Sequence, residues 1–383
     1  MHANSWAGSR AAVAGAVAAA VVVCLFAGIG GGLLRAGVAL PAVLPGPWLG
    51  RAAQGHAFLM ICAFLGTVIA VERAVALKSR AAVVAPAASL LGGVLFLAGW
   101  PSAAAWFAAA AAAAFVAVNA LLVVRQRAAH TALLLVAAVA WLVGNVGFAA
   151  GGSSHATVPW WFAFLVLTIA AERLEMARLM PRRRGASVAM AAIVVALLGG
   201  CALFAVSLRV GGVLYGASLV ALACWLLAFD VARRTIFGAG LSRYIAACLL
   251  LGYFWLAIAG VAWCATALGL PLMDAALHAL AIGFVFSMIL GHAPVVVPAV
   301  LRVKLAFGPV FYVPLAVLHG SLALRLLVAA SDASAFRVGA AGNALAVALF
   351  AATLVASAAG WRIRNAARAA AGGRSMSEIQ RLG

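Results

Sequence analysis

Apolar runs of about 20 residues recur from one end of the chain to the other, and they constrain its fold more than any motif does. A helix of ~20 residues spans the ~30 Å hydrocarbon core of a bilayer. Of the 383 residues, 68% are hydrophobic and only 9% are charged, which is too little polar surface for a soluble domain of this length. A β-barrel would instead show short segments of alternating hydrophobicity. The sequence therefore predicts an all-α, polytopic membrane helical bundle.

Glycines, prolines and charge clusters divide these runs into about twelve membrane helices. The predicted spans are 11–33, 54–77, 81–99, 103–124, 131–150, 158–180, 186–208, 211–231, 244–267, 275–300, 309–330 and 337–360. Residues 1–383 are accordingly interpreted as one integral membrane domain with a short basic cytoplasmic tail at 361–383. The first run shows no convincing cleavage site, which favours a retained helix over a signal peptide.

Lysine and arginine are distributed unequally among the predicted loops. With both termini in the cytoplasm, the loops that face inward carry most of the 26 basic residues, as the positive-inside rule requires. The formal net charge of +19 then reflects this topology together with attraction to anionic membrane lipid, and it does not indicate nucleic-acid binding. We expect a multi-pass protein of a bacterial cytoplasmic (inner) membrane, and the sequence leaves its oligomeric state open.

The chain has only seven carboxylates, and two of them occupy matching positions in predicted helices. The segments IAVER and IAAER contain the pairs Glu72–Arg73 and Glu172–Arg173, toward the cytoplasmic ends of the second and sixth helices. Neighbouring residues on a helix point about 100° apart, so Glu72 and Arg73 are expected to pair with other helices and not with each other. An ionisable group inside a membrane is costly unless it is paired. Two interpretations remain open, a proton path and a structural ion pair.

Four of the seven histidines are predicted inside helices, which is many for a chain with so few polar residues. The other three, His2, His130 and His155, fall in the tail or in loops and are given no specific role. The intramembrane histidines are His56, His278, His292 and His319.

Depth in the membrane separates these four histidines into two pairs. His56 begins the second helix and His278 begins the tenth, so both are expected near the outer surface, where they can face each other. His292 lies 14 residues further along the tenth helix, ~21 Å deeper. The adjacent eleventh helix brings His319 to roughly the same depth as His292.

Two opposed imidazoles at equal depth in an apolar bundle are what axial ligation of a b-type haem needs. His56 and His278 are therefore the candidate haem ligands, and Arg325 is a candidate partner for a haem propionate. No CxxCH motif is present, so a haem here is expected to be held without covalent bonds. His292 and His319 are candidates for a copper ion or a second haem, with a structural hydrogen bond as the alternative.

Short motifs around the outer histidines resemble those of known families. The start of the second helix, HAFLM, resembles the low-spin haem helix of haem-copper oxidase subunit I, and GFVFSMILG resembles a run in its tenth helix. The predicted sixth and seventh helices contain no histidine, so the copper ligands of a terminal oxidase have no counterpart. HALAIGFVFSMILGHAP is more similar to the NnrS family, membrane proteins with haem and copper. That resemblance implies a role in the nitric oxide response or in membrane redox chemistry, with a small gaseous or redox ligand.

A secondary transporter or proton-coupled permease is the main alternative. Twelve helices and intramembrane Glu, Arg and His suit a permease as well. A third possibility is an assembly or scaffold subunit whose histidines only pack. Whether the protein is an enzyme is left open by the sequence.

Overall fold

The computed structural model describes residues 2–40, 46–77, 79, 81–176, 185–328 and 332–379, and it describes side chains only from residue 18 to residue 365. Within these ranges the chain is helical and contains no strand, and twelve helices are long and apolar enough to cross a membrane. The predicted all-α membrane bundle and its number of helices are confirmed. The protein is thus a polytopic α-helical membrane protein.

We number the membrane-crossing segments α1 to α12 in chain order. They are α1 Ala18–Arg35, α2 Phe58–Leu77, α3 Ala81–Ala98, α4 Pro101–Arg125, α5 Ala129–Ala149, α6 Ser154–Met176, α7 Ala186–Leu203, α8 Leu208–Phe229, α9 Gly240–Ala267, α10 Met273–Leu301, α11 Pro309–Leu327 and α12 Ala333–Asn365.

Several ends differ from the predicted spans. The first helix begins at His2, although its apolar part begins only at Ala18. A short separate helix, Pro47–Gln54, precedes α2, where the sequence predicts the second span from residue 54. The last helix continues to Ile379, so the predicted tail is largely helical. The predicted end of the sixth span, and the arginines 182–184 behind it, lie outside the described residues.

Consecutive helices pack side by side, and α12 also contacts α1. The most enclosed helices are α6, α10 and α9, with 67%, 61% and 56% of their apolar windows buried within the bundle. α2 packs against α1, α3 and α6, and α10 lies between α9 and α11. α6 and α10, which carry Glu172, Arg173, His278 and His292, are therefore among the most enclosed helices, whereas α11 with His319 and Arg325 is only 33% buried.

Small residues bring some helices into close contact. A Cβ atom on Gly260 of α9 would lie 2.5 Å from the carbonyl oxygen of Gly216 on α8, and the reverse contact is equally short. Such pairs let two backbones approach closely, and in lipid this packing supplies much of the helix association. The six cysteines are all free, and four of them are buried, in agreement with a packing role.

We expect Gly260→Ala to destabilise the bundle, because the added methyl group must push α8 away from α9. Overpacking of this kind costs about 1–3 kcal/mol. Gly147→Ala is a matched control, since Gly147 lies in α5 with nothing within 4 Å of its would-be Cβ. Thermal denaturation of each purified variant in detergent measures its stability. Equal melting temperatures for the two variants would contradict the assigned packing role.

Candidate functional site

His56 and His278 lie opposite each other at the start of α2 and α10. Their ring centres are 6.4 Å apart and their ring planes are inclined by only 20°. The two residues are far apart in sequence, and the equal depth predicted for them is what brings them together. The structure thus contains the outer histidine pair that the sequence predicts.

Each ring is held in place through its Nδ1 atom. His56 Nδ1 lies 2.7 Å from the carbonyl oxygen of Gly28 in α1, and His278 Nδ1 lies 2.9 Å from that of Asp274. A carbonyl can only accept, so Nδ1 carries the proton in both rings. Nε2 of each ring then has its lone pair available, and it makes no hydrogen bond to any described residue. This is the arrangement found in metal-bound histidines, whose second nitrogen is fixed by a carbonyl or carboxylate.

The spacing of the rings fits a metal ion between them. Two metal–imidazole bonds of ~2 Å placed end to end, with ~1 Å from each coordinating nitrogen to its ring centre, separate the ring centres by ~6 Å. The observed 6.4 Å agrees with this separation. The histidine pair therefore fits axial ligation of one iron.

Glycines in α1 make room for His56. A Cβ atom on Gly32 would lie 2.7 Å from His56 Cε1, and one on Gly28 would lie 2.6 Å from Met60 Sδ. Any larger side chain at Gly32 would displace the imidazole. The glycine-rich run at 28–32 is thus explained by the approach of α1 to the histidine.

Three helices change to π-helical geometry beside this site. The segments are Phe58–Gly66 directly after His56, Ala279–Phe286 directly after His278, and Leu324–Val328, which contains Arg325. π-Helical segments are rare and occur frequently at functional sites. The sequence carries no signal for them, because the residues involved are ordinary apolar helix residues.

A cavity opens where these three segments meet. Its volume is about 160 Å³. His56, His278, Arg325 and Asn343 are the polar residues in a lining that is otherwise apolar. The walls come from α1, α2, α6, α10, α11 and α12. A mostly apolar lining with a few polar groups is typical of a cofactor site.

Arg325 lines the cavity but already forms an ion pair with a carboxylate. Its Nη2 and Nε atoms lie 2.8 Å and 3.1 Å from the two carboxylate oxygens of Asp274. The guanidinium also lies 4.9 Å from the ring centre of Phe336. A second arginine, Arg35 at the end of α1, lies within electrostatic range of His56. Sequence reasoning missed Asp274 and Arg35, although Asp274 precedes His278 by one helical turn.

The two deeper histidines do not form a common site. His292 Nδ1 donates to the carbonyl of Met288 at 2.6 Å, and its Nε2 accepts from Arg173 Nη2 at 2.6 Å. His319 Nδ1 accepts from Trp255 Nε1 at 2.8 Å, and its Nε2 lies 3.4 Å from Ser287 Oγ.

All four ring nitrogens of this deeper pair are thus occupied by partners within the chain. No group of three or more metal-ligating side chains occurs among the described residues. A copper ion bound by His292 and His319, as the sequence predicts, would have to displace these hydrogen bonds.

The inner charged residues form a network between α2, α6 and α10. Arg73 Nη2 lies 2.7 Å from Glu172 Oε1, but 4.0 Å from the neighbouring Glu72. The expectation that Arg73 pairs with another helix is confirmed. Arg173 instead hydrogen-bonds to the neutral His292. The matching segments IAVER and IAAER therefore make different contacts. The network ties the three interior helices together at the end opposite the histidine pair.

Further polar side chains extend this network. One of them, His130, lies in a helix where the sequence predicts a loop. Tyr253 of α9 interacts electrostatically with Asp230 and with Arg173. Its hydroxyl hydrogen-bonds to the Asp230 side chain, whereas Arg73 Nε and Arg173 Nε are buried without a hydrogen-bond partner among the described residues. His130, predicted to have no specific role in a loop, is in fact buried at the start of α5, 3.8 Å from Glu175.

No curated protein and no solved structure matches this chain. Residues 14–359, which include every candidate residue described above, match the family described as a domain of unknown function, DUF8744. The chain therefore belongs to the DUF8744 family.

Proposed function

We propose that this protein is a haem b protein of the bacterial inner membrane, of the NnrS and haem-copper oxidase-like type, with His56 and His278 as axial ligands. The observation that carries the proposal is the geometry of this pair. The rings lie 6.4 Å apart and nearly parallel, and each has Nδ1 fixed by a carbonyl. A hydrogen-bonded packing pair of histidines has no need of two free Nε2 atoms beside an apolar cavity.

The surrounding residues support the same cofactor. The apolar lining of the cavity suits the faces of a porphyrin, and Arg35 lies within electrostatic range of His56, where it would supply positive charge. A haem held in this way supplies one-electron transfer. Because two histidines take both axial positions, membrane redox chemistry suits the site better than direct binding of nitric oxide. A gaseous ligand would have to replace one imidazole.

A proton-coupled permease is the second candidate, and the inner network is the observation that favours it. Glu72 makes no hydrogen bond to a described residue, and the Nε atoms of Arg73 and Arg173 are buried without a hydrogen-bond partner among those residues. Groups of this kind can bind buried water and pass protons. In the haem proposal the same network only anchors the cytoplasmic ends of α2, α6 and α10.

We expect the purified protein to show a low-spin b-type haem spectrum with a sharp reduced α band, extractable with acid-acetone. His56→Ala and His278→Ala should each abolish it, because loss of either axial ligand leaves the iron five-coordinate or the haem unbound. His292→Ala and His319→Ala are the controls and should keep the spectrum, since their ring nitrogens serve other residues. Unchanged haem content in both His56→Ala and His278→Ala would refute the ligand assignment. A wild-type protein without haem would favour the permease.

Two glutamate variants separate an anchoring network from a proton path. If the network anchors helices, Glu172→Gln should lower stability by about 1.5–3 kcal/mol, the value of a hydrogen bond to a charged group. Glu72→Gln should cost less, because Glu72 is 4.0 Å from Arg73 while Glu172 is at 2.7 Å. Melting temperatures in detergent measure this difference. Two variants that melt like the wild type but lose pH-dependent uptake into proteoliposomes would instead support the permease.

The proposed orientation has both termini in the cytoplasm. A reporter fused at Gly383 should therefore be active on the cytoplasmic side, and one inserted in the loop at Ser153, between α5 and α6, should be active outside. The opposite pattern of activities would place the histidine pair at the inner surface and overturn the assigned depths.

A further inference from the structure

The two histidines of the outer pair are held by chemically different partners. His56 donates to a neutral carbonyl of α1. His278 Nδ1 lies 2.9 Å from the carbonyl oxygen of Asp274 and also 3.0 Å from its carboxylate atom Oδ1. One imidazole thus faces an uncharged acceptor, and the other also faces a negative charge.

The carboxylate of Asp274 is fixed in this position by α11. Arg325 holds both of its oxygens in a fork, with Nη2 at 2.8 Å and Nε at 3.1 Å. Such bidentate pairs fix geometry as well as charge. The arginine is in turn held by packing, because its side chain is only 8% exposed and lies over Phe336. Gly339 of α12 allows this approach, since a Cβ there would lie 2.6 Å from the Arg325 backbone nitrogen.

The helix dipoles of α10 and α11 also favour the charges of Asp274 and Arg325. Asp274 lies in the first turn of α10, where the helix dipole favours a negative group. Arg325 lies near the last turn of α11, where the dipole favours a positive one. A chain of hydrogen bonds therefore links α10 to α11 through His278, Asp274 and Arg325. The charges of Asp274 and Arg325 cancel each other.

A carboxylate at the second nitrogen of a metal-bound histidine makes that histidine a stronger electron donor. The effect stabilises the more oxidised state of the metal. No carboxylate reaches His56 among the described residues. Only His278, on the α10 side of the site, therefore has a carboxylate beside its Nδ1 atom.

We propose that Asp274 is a positioning residue that sets the electron-donating strength of His278, and that Arg325 compensates part of the charge of Asp274 and so limits this effect. This inference rests on the proposed haem ligation by His56 and His278. It gives Arg325 a role that differs from the propionate contact expected from the sequence. The pair then determines how strongly the site prefers ferric over ferrous iron, and with it the redox partners that the protein can serve.

The test is a redox titration of the haem in the purified full-length protein, followed by its optical spectrum. Asp274→Asn removes the charge and should favour the ferrous state about tenfold, which raises the midpoint potential by about 59 mV for a one-electron couple. Arg325→Gln leaves the carboxylate uncompensated and should lower the midpoint potential. Asp332→Asn is the matched control, because Asp332 is an exposed carboxylate whose hydrogen bonds go to Ser334, and it should leave the potential unchanged.

Opposite shifts in the two variants distinguish electronic tuning from simple loss of structure, which would move both in the same direction. Shifts of the same sign, or an Asp274→Asn potential equal to that of Asp332→Asn, would overturn the inference while leaving haem binding intact. If Asp274→Asn does not accumulate, Arg325→Gln decides, since an unchanged or raised potential overturns the inference. A wild-type protein without haem would overturn the proposed function and this inference together.

Discussion

Every polar group in this protein has to find its partner inside the bundle, because hydrocarbon offers none. The chain meets this constraint by concentrating its charges at two levels. At one end Asp274 and Arg325 join α10 to α11, and at the other Arg73 and Glu172 join α2 to α6. Between these levels the contacts are apolar or involve hydrogen bonds of uncharged groups, such as those from Trp161 to Asn145 and from Trp255 to His319. The two charged levels therefore fix how the interior helices are aligned along their axes.

That alignment creates the cavity. With α2 and α10 held at a fixed relative height, His56 and His278 meet at their ends, and the π-helical segments that follow them line the space between. The glycines of α1 allow this helix to come close enough for Gly28 to accept a hydrogen bond from His56. The site is thus a product of several helices, and no single one of them contains it.

The inner network differs from the outer site in how its polar atoms are used. In the outer site each ring nitrogen that faces the protein is bonded, and the free ones face the cavity. In the inner network the Nε atoms of Arg73 and Arg173 are buried without a partner among the described residues. An unpaired buried group costs about 1–3 kcal/mol. This cost suggests that the inner network serves more than stability, and it is why a proton path remains worth testing there.

The sequence by itself determined the class of fold, since runs of about 20 apolar residues can form only membrane helices, and it determined which histidines are at equal depth, since depth follows from position along a helix. It could not determine which side chains meet around the helix axes, because pairing between helices depends on rotation and packing that no local pattern encodes. For that reason the matching segments around Arg73 and Arg173 do not reveal that Arg73 pairs with Glu172 while Arg173 binds His292. Asp274, Arg35 and the π-helical segments gain their meaning only from neighbours on other helices, so only the tertiary structure decided that they belong to the site.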